Sequence, residues 1–394
     1  MASRRTLLKG AGAISVLLVG GAVWRAYDSG VFSAGKGPAY EPWRDWRSGA
    51  TETPLALVRA GILAANPHNT QPWLFKVTDT RIELYADTAR NLGAFDPYLR
   101  EMHIGLGCAV ENMALAATAN GYVAGVSLVP GWLGPIPERP ERVLVATLDL
   151  SKAPKQRSEL YDAIPRRHTN RAAYAAARAL PLGLLASIRG MTEGDAQLQV
   201  FLFTTSDTKA KLGELVIKAT ETIIADKPMV QDSERWFRHR WEEVQTARDG
   251  PTLDATGMSP LMTAIAKVLP RPSPETSHRY WLDATRNVHV PETTAFGLIA
   301  VRDLYDRPQA MRAGRAWQRM HLFATANGIA MQPINQPVEL VDRERQLSKE
   351  PWMERALATL TGDASWKPTF AFRMGYPTRE VPPSPRRSVE AVVL

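Results

Sequence analysis

The chain has little of what builds a metal or disulfide site. Among its 394 residues Cys108 is the single cysteine, which excludes an internal disulfide and any cysteine-rich zinc or iron–sulfur centre. The seven histidines include no pair at His-x-x-x-His spacing, so a metal site carried by one helix has no support. No basic run alternates with aromatic residues, and the formal net charge of +8 therefore does not predict nucleic-acid binding.

The composition is that of a folded globular protein. Apolar residues make up 45% and charged residues 22%, which excludes intrinsic disorder, collagen-like order and a coiled coil. At about 150 residues per domain, the length allows two or three compact units, or one large fold with an insertion.

The first residues have the features of an export signal. Arg4-Arg5 is a twin-arginine pair, and an apolar stretch of about 15 residues follows from Gly10 to Trp24, shorter than the roughly 17 to 25 residues of a membrane-spanning helix. We therefore expect residues 1–30 to be a signal or anchor recognised by the twin-arginine translocase, and the protein to be periplasmic or anchored on the outer side of the membrane. A basic N-terminus before a buried helix is the alternative. Residues 31–50, rich in Gly, Pro and aromatics, are predicted to be a tether that docks on the body.

Periodicity and turn residues predict an alternation of helices and strands. Thr53 is a plausible N-cap and Pro54 suits the first helical position. The predicted elements are a helix over 51–65, a hairpin of strands Trp73–Val77 and Ile82–Tyr85, a long helix from Met102 to Asn120, and strands over 123–129 and 143–150.

The second part of the sequence repeats this order. Residues 113–121 and 320–328 share Met, Leu and the run Ala-Thr-Ala-Asn-Gly in register, 207 residues apart. Pro54-Leu55 also matches Pro181-Leu182, and Gln71-x-x-x-Phe75 matches Gln197-x-x-x-Phe201. We infer a duplicated unit with halves at 51–150 and 160–394. An insertion at 225–290 in the second half is either a lid over a site or a helical extension packed outside.

Two polar segments are candidates for chemistry. The segment Arg166-Arg167-His168-Thr169-Asn170-Arg171 offers guanidiniums, a hydroxyl and an amide that suit a phosphate group, although a basic surface turn would have the same composition. The segment Asn66-Pro67-His68-Asn69-Thr70-Gln71-Pro72-Trp73 offers donors and acceptors for a planar heterocycle, or else caps a helix-to-strand turn.

These segments carry a family resemblance. The amide-rich turn, between a helix and a hairpin, resembles the flavin-binding turn of the nitroreductase superfamily, and the basic segment resembles its Arg-Ser/Thr-x-Arg motif. Residues 370–377 and Ser384-Pro385-Arg386-Arg387 resemble its C-terminal strand and basic tail. With its twin-arginine leader and two joined units, the chain is most similar to the Acg-like FMN-binding branch. The resemblance implies an α+β, nitroreductase-like three-layer fold, in which two tandem halves form a single-chain pseudo-dimer that is a monomer with one FMN.

The resemblance also implies roles for single residues. Arg167 and Thr169 are expected on the ribityl phosphate with Arg386 or Arg387, and Arg171 beside the pyrimidine edge of the flavin. Asn66, Pro67 and Asn69 are expected on the ring or ribityl chain, and Pro333, Ile334 and Asn335 near flavin N5. His168 and Gln71 complete the two cofactor-binding motifs, and no protein acid or base is implied. The chain departs from the pattern at Ala65-Asn66, where Pro-Ser is usual, and at Asn335-Gln336, where Glu-Gly is usual.

The implied activity is that of an FMN-dependent oxidoreductase, which transfers a hydride through flavin N5 to a small acceptor such as a nitroaromatic or a quinone. The electron donor is left open between NAD(P)H and a membrane carrier. Export would separate the protein from cytoplasmic NAD(P)H, and then either the donor is a membrane carrier or another protein, or turnover is not the main task. An FMN-binding or sequestering protein without turnover is the second hypothesis, and a scaffold without flavin is the third.

Overall fold

The computed structural model of the protein describes residues 23–47 and 53–394. The predicted signal up to residue 22 and the end of the predicted tether from residue 48 lie outside these residues. Within the described part of the chain, no helix combines the length and the apolar character needed to cross a bilayer.

Helices and strands alternate along the chain. The α-helices are named α1 (Glu41–Arg44), α2 (Pro54–Gly61), α3 (Arg100–Ala119), α4 (Glu159–Ala163), α5 (Leu182–Gly190), α6 (Ser206–Ala225), α7 (Lys227–Glu234), α8 (Trp241–Ala247), α9 (Pro260–Val268), α10 (Pro274–Ala284), α11 (Arg307–Ala326), α12 (Gln336–Gln346) and α13 (Trp352–Thr361). The strands are β1 (Trp73–Val77), β2 (Arg81–Asp87), β3 (Tyr122–Leu128), β4 (Arg142–Lys152), β5 (Leu198–Phe203), β6 (Ala295–Val301), β7 (Ala330–Pro333) and β8 (Lys367–Gly375). Single 3₁₀ or π turns lie at Val31–Ser33, Pro38–Tyr40, Pro67–Asn69, Thr88–Arg90, Gly93–Phe95, Ile164–Arg166, Leu253–Ala255 and Thr285–His289.

The strands form two antiparallel sheets of four strands with the same connectivity. The first has the order β1-β2-β4-β3 and the second the order β5-β6-β8-β7. Each sheet has a register shift in its central pair, at Leu84/Tyr85 in the first and at Ile299/Ala300 in the second. The α+β fold with two tandem halves, predicted from the sequence repeat, is confirmed.

The two long helices α3 and α11 form the joint between the halves. They occupy positions that differ by 207 residues, and each packs on its own sheet as well as on the other helix. A Cβ atom added at Gly107 would lie 2.1 Å from the carbonyl oxygen of Met311, and one added at Gly314 would lie 1.9 Å from that of Ile104. The two contacts are equivalent under the repeat, so the halves meet through a reciprocal interface that only glycine permits.

The C-terminal tail crosses from the second half back to the first. The backbone of Phe75 in β1 donates to the carbonyl of Val392 at 2.8 Å and accepts from the amide of Leu394 at 2.8 Å. The tail therefore extends the edge of the first sheet and brings residues 384–387 beside the turn that precedes β1.

The insertion of the second half is the connection between β5 and β6. It comprises residues 204–294 and helices α6 to α10, whereas β1 and β2 are joined by residues 78–80 alone. It therefore starts before the predicted boundary at 225. The predicted helix over 51–65 is also shorter than expected and ends at Gly61, because the chain turns after Ala64 toward the segment 66–71.

Candidate functional site

The segment 66–71 is a tight turn held in an unusual backbone conformation. His68, Asn69 and Gln71 have φ values of 45°, 52° and 51°, in the left-handed region that side chains with a Cβ atom disfavour. The side-chain oxygen of Asn66 accepts the backbone N–H of Gln71 at 2.8 Å and closes the turn. Strained backbone of this kind persists where the surroundings dictate it, and it is common at binding sites.

Asn69 and Gln71 hold this turn from behind. Asn69 Nδ2 donates to the carbonyl of Pro385 at 2.9 Å, and its side-chain oxygen accepts from Arg386. Gln71 Nε2 donates to the carbonyl of Arg248 at 2.8 Å, and its Oε1 accepts the backbone N–H of Arg387 at 2.8 Å. Both side chains are buried and hydrogen-bonded to other parts of the protein. They therefore position the turn, whereas the resemblance implied that they face a ligand.

The turn and the basic segment face one large cavity. Its volume is about 2370 Å³, and it is lined from the first half by Asn66, Pro67 and His68 and from the second half by Thr169, Arg171, Pro333 and Asn335. The structure therefore brings together two segments that lie about one hundred residues apart in the sequence. Ile334, between two lining residues, is buried and donates its N–H to the carbonyl of Ala371 at 2.8 Å.

The insertion and the start of the described chain form the outer wall of the cavity. The lining residues contributed by them include Trp24, Tyr27, Arg238, Trp241, Leu253, Met262, Tyr280 and Trp281. The insertion therefore borders the cavity, and its role as a lid stays a prediction.

The basic segment directs its side chains to different places. Arg166 is exposed, whereas Arg167 is buried and donates to the carbonyl of Leu63 at 3.0 Å. Arg171 lies in the cavity wall and donates to the carbonyl of Ala255 in the insertion at 3.1 Å. Burial, and then the charge of Arg171, lowers the pKa of His68 to about 4. The His68 ring is therefore neutral at pH 7, where it hydrogen-bonds the Ser233 hydroxyl at 2.7 Å.

Arg167, His168 and Arg386 form a buried group that we call the cation cluster. Arg167 donates to the carbonyl of Leu63, and Arg386 donates to that of the next residue, Ala64, at 3.1 Å. Arg167 Nε, Arg386 Nε and His168 Nδ1 are buried without a hydrogen-bond partner among the described residues. No carboxylate of the described chain forms a salt bridge with either guanidinium. Buried cations of this kind require an anion, which makes the cluster a fitting place for a phosphate group.

The pKa values agree with a shortage of negative charge in the cation cluster. Burial lowers the pKa of Arg167 to about 10, and burial together with the charge of Arg167 lowers that of Arg386 well below its ordinary value. Burial and the two guanidiniums lower the pKa of His168 to about 3. A bound dianion would oppose all three shifts.

The predicted tether covers the cation cluster. The ring of Trp43 meets His168 edge-on with ring centres 4.8 Å apart, and the guanidinium carbon of Arg386 lies 4.8 Å from the Trp43 ring centre. Arg387 points elsewhere and donates to the carbonyls of Gln71 at 3.3 Å and Ala391 at 2.6 Å. Of the two tail arginines, Arg386 alone belongs to the cation cluster.

The cavity also contains two buried glutamates that the sequence analysis missed. Glu101 on α3 and Glu339 on α12 both line it, and their side chains belong to opposite halves. Asn335 donates to Glu101 Oε1 at 2.8 Å and accepts the N–H of Ala371 at 2.8 Å. The sequence signal was weak, because a single Glu in the first turn of a helix is common and usually faces solvent.

Comparison with known proteins finds relatives that are named as nitroreductases. No family model matches the chain. A curated protein of Mycobacterium tuberculosis strain H37Rv, named as an NAD(P)H nitroreductase, is 26% identical over 363 residues, which cover 91% of this chain and 95% of the relative. The FMN-dependent nitroreductase NfnB of Mycobacterium smegmatis, solved with NADPH, is 15% identical with a TM-score of 0.37, covering 59% of this chain and 96% of its own. A nitroreductase of Anabaena variabilis is 11% identical with a TM-score of 0.41, covering 75% and 69%. Along nearly its whole length, the chain is thus similar in sequence to a protein named as a nitroreductase, which supports the superfamily that its two site segments resemble.

Proposed function

We propose that the protein is an FMN-dependent oxidoreductase of the nitroreductase type, which passes two electrons to a flat acceptor such as a nitroaromatic or a quinone. The observation that carries this proposal is the cavity shared by the two halves, with the strained turn on one wall. The cation cluster does not line the cavity but is buried against the chain at Leu63, Ala64 and Asn69, which leads into and forms that turn. The names of the similar proteins, which mention NAD(P)H and FMN, support the same choice.

The residues present fit FMN. Arg167, His168 and Arg386 would hold the phosphate, because their unpartnered nitrogens are short of an anion. Arg171 would lie at the polar edge of the flavin ring, and Asn66 and Pro67 would contact the ring or the ribityl chain from the other half. When bound, FMN supplies the two-electron chemistry that no side chain of the cavity provides.

The protein's own residues would bind, orient and shield the reactants. The cavity exceeds the roughly 300–1,000 Å³ typical of small-molecule sites, so it has room for a cofactor and an acceptor together. We propose that it acts as a monomer outside the cytoplasm after export by the twin-arginine route, with NAD(P)H or a membrane carrier as donor.

A second candidate function is the retention of FMN without turnover. It is favoured by the way the insertion is fastened to the turn and to the start of the chain. Gly250 donates its backbone N–H to the carbonyl of Asn69 at 3.2 Å, Asp249 forms an ion pair with Arg90, and Lys267 donates to the carbonyl of Gly30 at 3.0 Å. Such contacts would slow the release of any ligand beneath them.

An anaerobic absorbance experiment on the purified full chain separates the two candidates. Bleaching of the flavin band by NADPH or by a reduced quinone, followed by recovery of the band on addition of a nitroaromatic or an oxidised quinone, supports the oxidoreductase. A yellow protein that neither donor bleaches supports retention. A colourless protein that stays colourless after incubation with FMN contradicts both.

A further inference from the structure

Two carboxyl groups meet at the floor of the cavity, each in the first turn of its helix. Glu101 comes from α3 in the first half and Glu339 from α12 in the second, and they are 5% and 6% exposed. Both side chains line the same cavity, and the charge of Glu101 is felt by Glu339, so the two carboxyl groups lie close together. Two carboxyl oxygens at close range can hydrogen-bond only when one of the groups carries a proton.

The cation near this pair, Arg100, already forms an ion pair with another carboxylate. The Arg100 guanidinium forms a buried ion pair with Asp342 at 2.7 Å and donates to the carbonyl of Val338 at 2.9 Å. The other oxygen of Asp342 accepts the hydroxyl of Tyr305 at 2.9 Å. Burial raises the pKa of Glu101 and of Glu339 by more than the charge of Arg100 lowers it.

The remaining acid in the neighbourhood adds negative charge. Both oxygens of Asp96 accept backbone N–H groups at the start of α3, from Glu101 at 3.1 Å and from Met102 at 2.9 Å. The titratable groups that act on the pair are Asp96, Arg100 and Asp342. Together with the pair they carry more negative than positive charge if every carboxyl group is ionised. Several like charges in one buried site are strongly unfavourable, so one of the carboxyl groups must keep its proton.

The pair also has an oxygen that lacks a hydrogen-bond partner. Glu339 Oε2 is buried without a hydrogen-bond partner among the described residues, and so is Oε1 of the neighbouring Gln336. Both side chains line the cavity beside Pro333 and Asn335. A molecule bound there would meet a carboxyl group that can turn its proton toward it.

We propose that Glu101 and Glu339 share one proton and that this pair protonates the acceptor during its reduction. The inference rests on the proposed oxidoreductase function and assigns these two residues a task in it. The pKa values agree with a shared proton: burial, and then the charge of Asp96, raises the pKa of Glu101 to about 8, while burial and then Glu101 raise that of Glu339.

The step balances for a quinone acceptor. Bound FMN would supply the hydride, that is two electrons and one hydrogen, to the quinone. The carboxyl O–H bond of the pair breaks, and an O–H bond forms on the quinone oxygen that has gained negative charge, which gives the hydroquinone. The pair, now without its proton, regains one from water in the cavity after the product leaves.

Infrared spectroscopy tests the shared proton without any cofactor. The spectra of the wild type, E101Q, E339Q, the double variant and E111Q are compared at neutral pH in H₂O and D₂O. Glu111 is the matched control, because it is a buried carboxyl group on the same helix α3 that two arginines hold outside the cavity. We expect the C=O band of a protonated carboxyl group in the wild type and in E111Q and its loss in the double variant. A band that persists in the double variant would overturn the proposal.

Rapid mixing tests the donation. Each protein is loaded with FMN, its FMN content is measured by absorbance, and it is photoreduced and mixed with 1,4-benzoquinone over a range of pH. We expect E339Q to keep its FMN, to reduce the quinone at least about tenfold more slowly, as is usual for a lost general acid, and to lose the fall in rate that the wild type shows above about pH 8. Unchanged rates and pH profile in E339Q, E101Q and the double variant would overturn the donation. Failure of all proteins to bind FMN would instead contradict the proposed function, and the infrared result would still decide the shared proton.

Discussion

The two halves of the molecule have the same strand order and the same central helix, but they differ in what they attach to them. Residues 78–80 join the first two strands of the first sheet, and residues 204–294 join the equivalent strands of the second. The strained turn occurs in the first half, and the basic segment in the second. Duplication thus preserved the scaffold, while the functional groups were divided so that one complete cavity requires both halves.

The largest effect is expected from a substitution at the reciprocal glycine contact between the two halves. Gly107→Ala would place a methyl group against the carbonyl of Met311, and we expect it to lower the free energy of unfolding by about 3 kcal/mol or more. Gly314→Ala should have a similar effect, because its contact with Ile104 is equivalent.

Gly183→Ala is the matched control for the glycine contact. This helical glycine has no atom within 4 Å of an added Cβ, so the change should stabilise the protein by about 0.5 kcal/mol. Urea unfolding of the three variants measures all these effects. If Gly107→Ala were as stable as the wild type, the halves would not meet as described.

Measurements of FMN affinity test the role of the cation cluster in the second half. Arg167→Ala should weaken FMN binding by about tenfold to a hundredfold, since a hydrogen bond to a charged group contributes about 1.5–3 kcal/mol. Arg166→Ala, at the exposed neighbouring position, should leave the affinity unchanged. Quenching of FMN fluorescence measures both dissociation constants, and equal losses in the two variants would argue for a diffuse basic surface.

The carboxyl pair contributed by both halves predicts the pH dependence of stability. Burial raises the folded-state pKa of Glu101 to about 8 from the ordinary 4.5 of a glutamate, so the pair stabilises the folded state below pH 4.5 and this contribution is lost as the pH rises to about 8. The free energy of unfolding should therefore fall over this range, by at most about 1.4 kcal/mol per pH unit for one proton.

Glu101→Gln and Glu339→Gln should each flatten that fall, while Glu111→Gln should keep it. Denaturant titrations at several pH values measure the slopes. A wild-type stability that rises between pH 5 and 8 would show that both carboxyl groups are ionised in the folded protein.

The smallest predicted effect concerns the insertion, the element that the first half lacks. Asp249→Asn would weaken its ion pairs with Arg90 and Arg238 and cost about 1 kcal/mol, because this carboxylate is 8% exposed. We expect FMN to dissociate roughly fivefold faster. Asp207→Asn, in the exposed ion pair with Lys211 on α6, is the control that should not change the rate. Stopped-flow release of FMN compares the two.

Local signals in the sequence predicted most of the elements. The strand 73–77 has the predicted bounds, and helix α3 differs from its prediction by two residues at its start and one at its end, because alternation and the Asn120-Gly121 stop determine them locally. The tandem arrangement followed from the repeat at 207 residues. The meeting of the two polar segments was predicted from a family resemblance, and periodicity alone would not have given it.

Tertiary packing decided what the sequence could not show. Arg166, Arg167 and Arg171 are chemically equal in the sequence, yet one is exposed, one is buried in the cation cluster and one lies in the cavity wall. Likewise, Glu101 and Glu339 are far apart along the chain and acquire their proton only from being buried together. Both distinctions depend on neighbours that long-range folding supplies.

The course of the tail beside β1 has a consequence for biosynthesis. Arg386 reaches the cation cluster only after residues 384–394 have been laid against the first half, which is the region that leaves the ribosome earliest. A chain that lacks residues 384–394 has a cation cluster without Arg386. We therefore expect such a chain to bind a phosphate-bearing ligand less tightly than the full chain does.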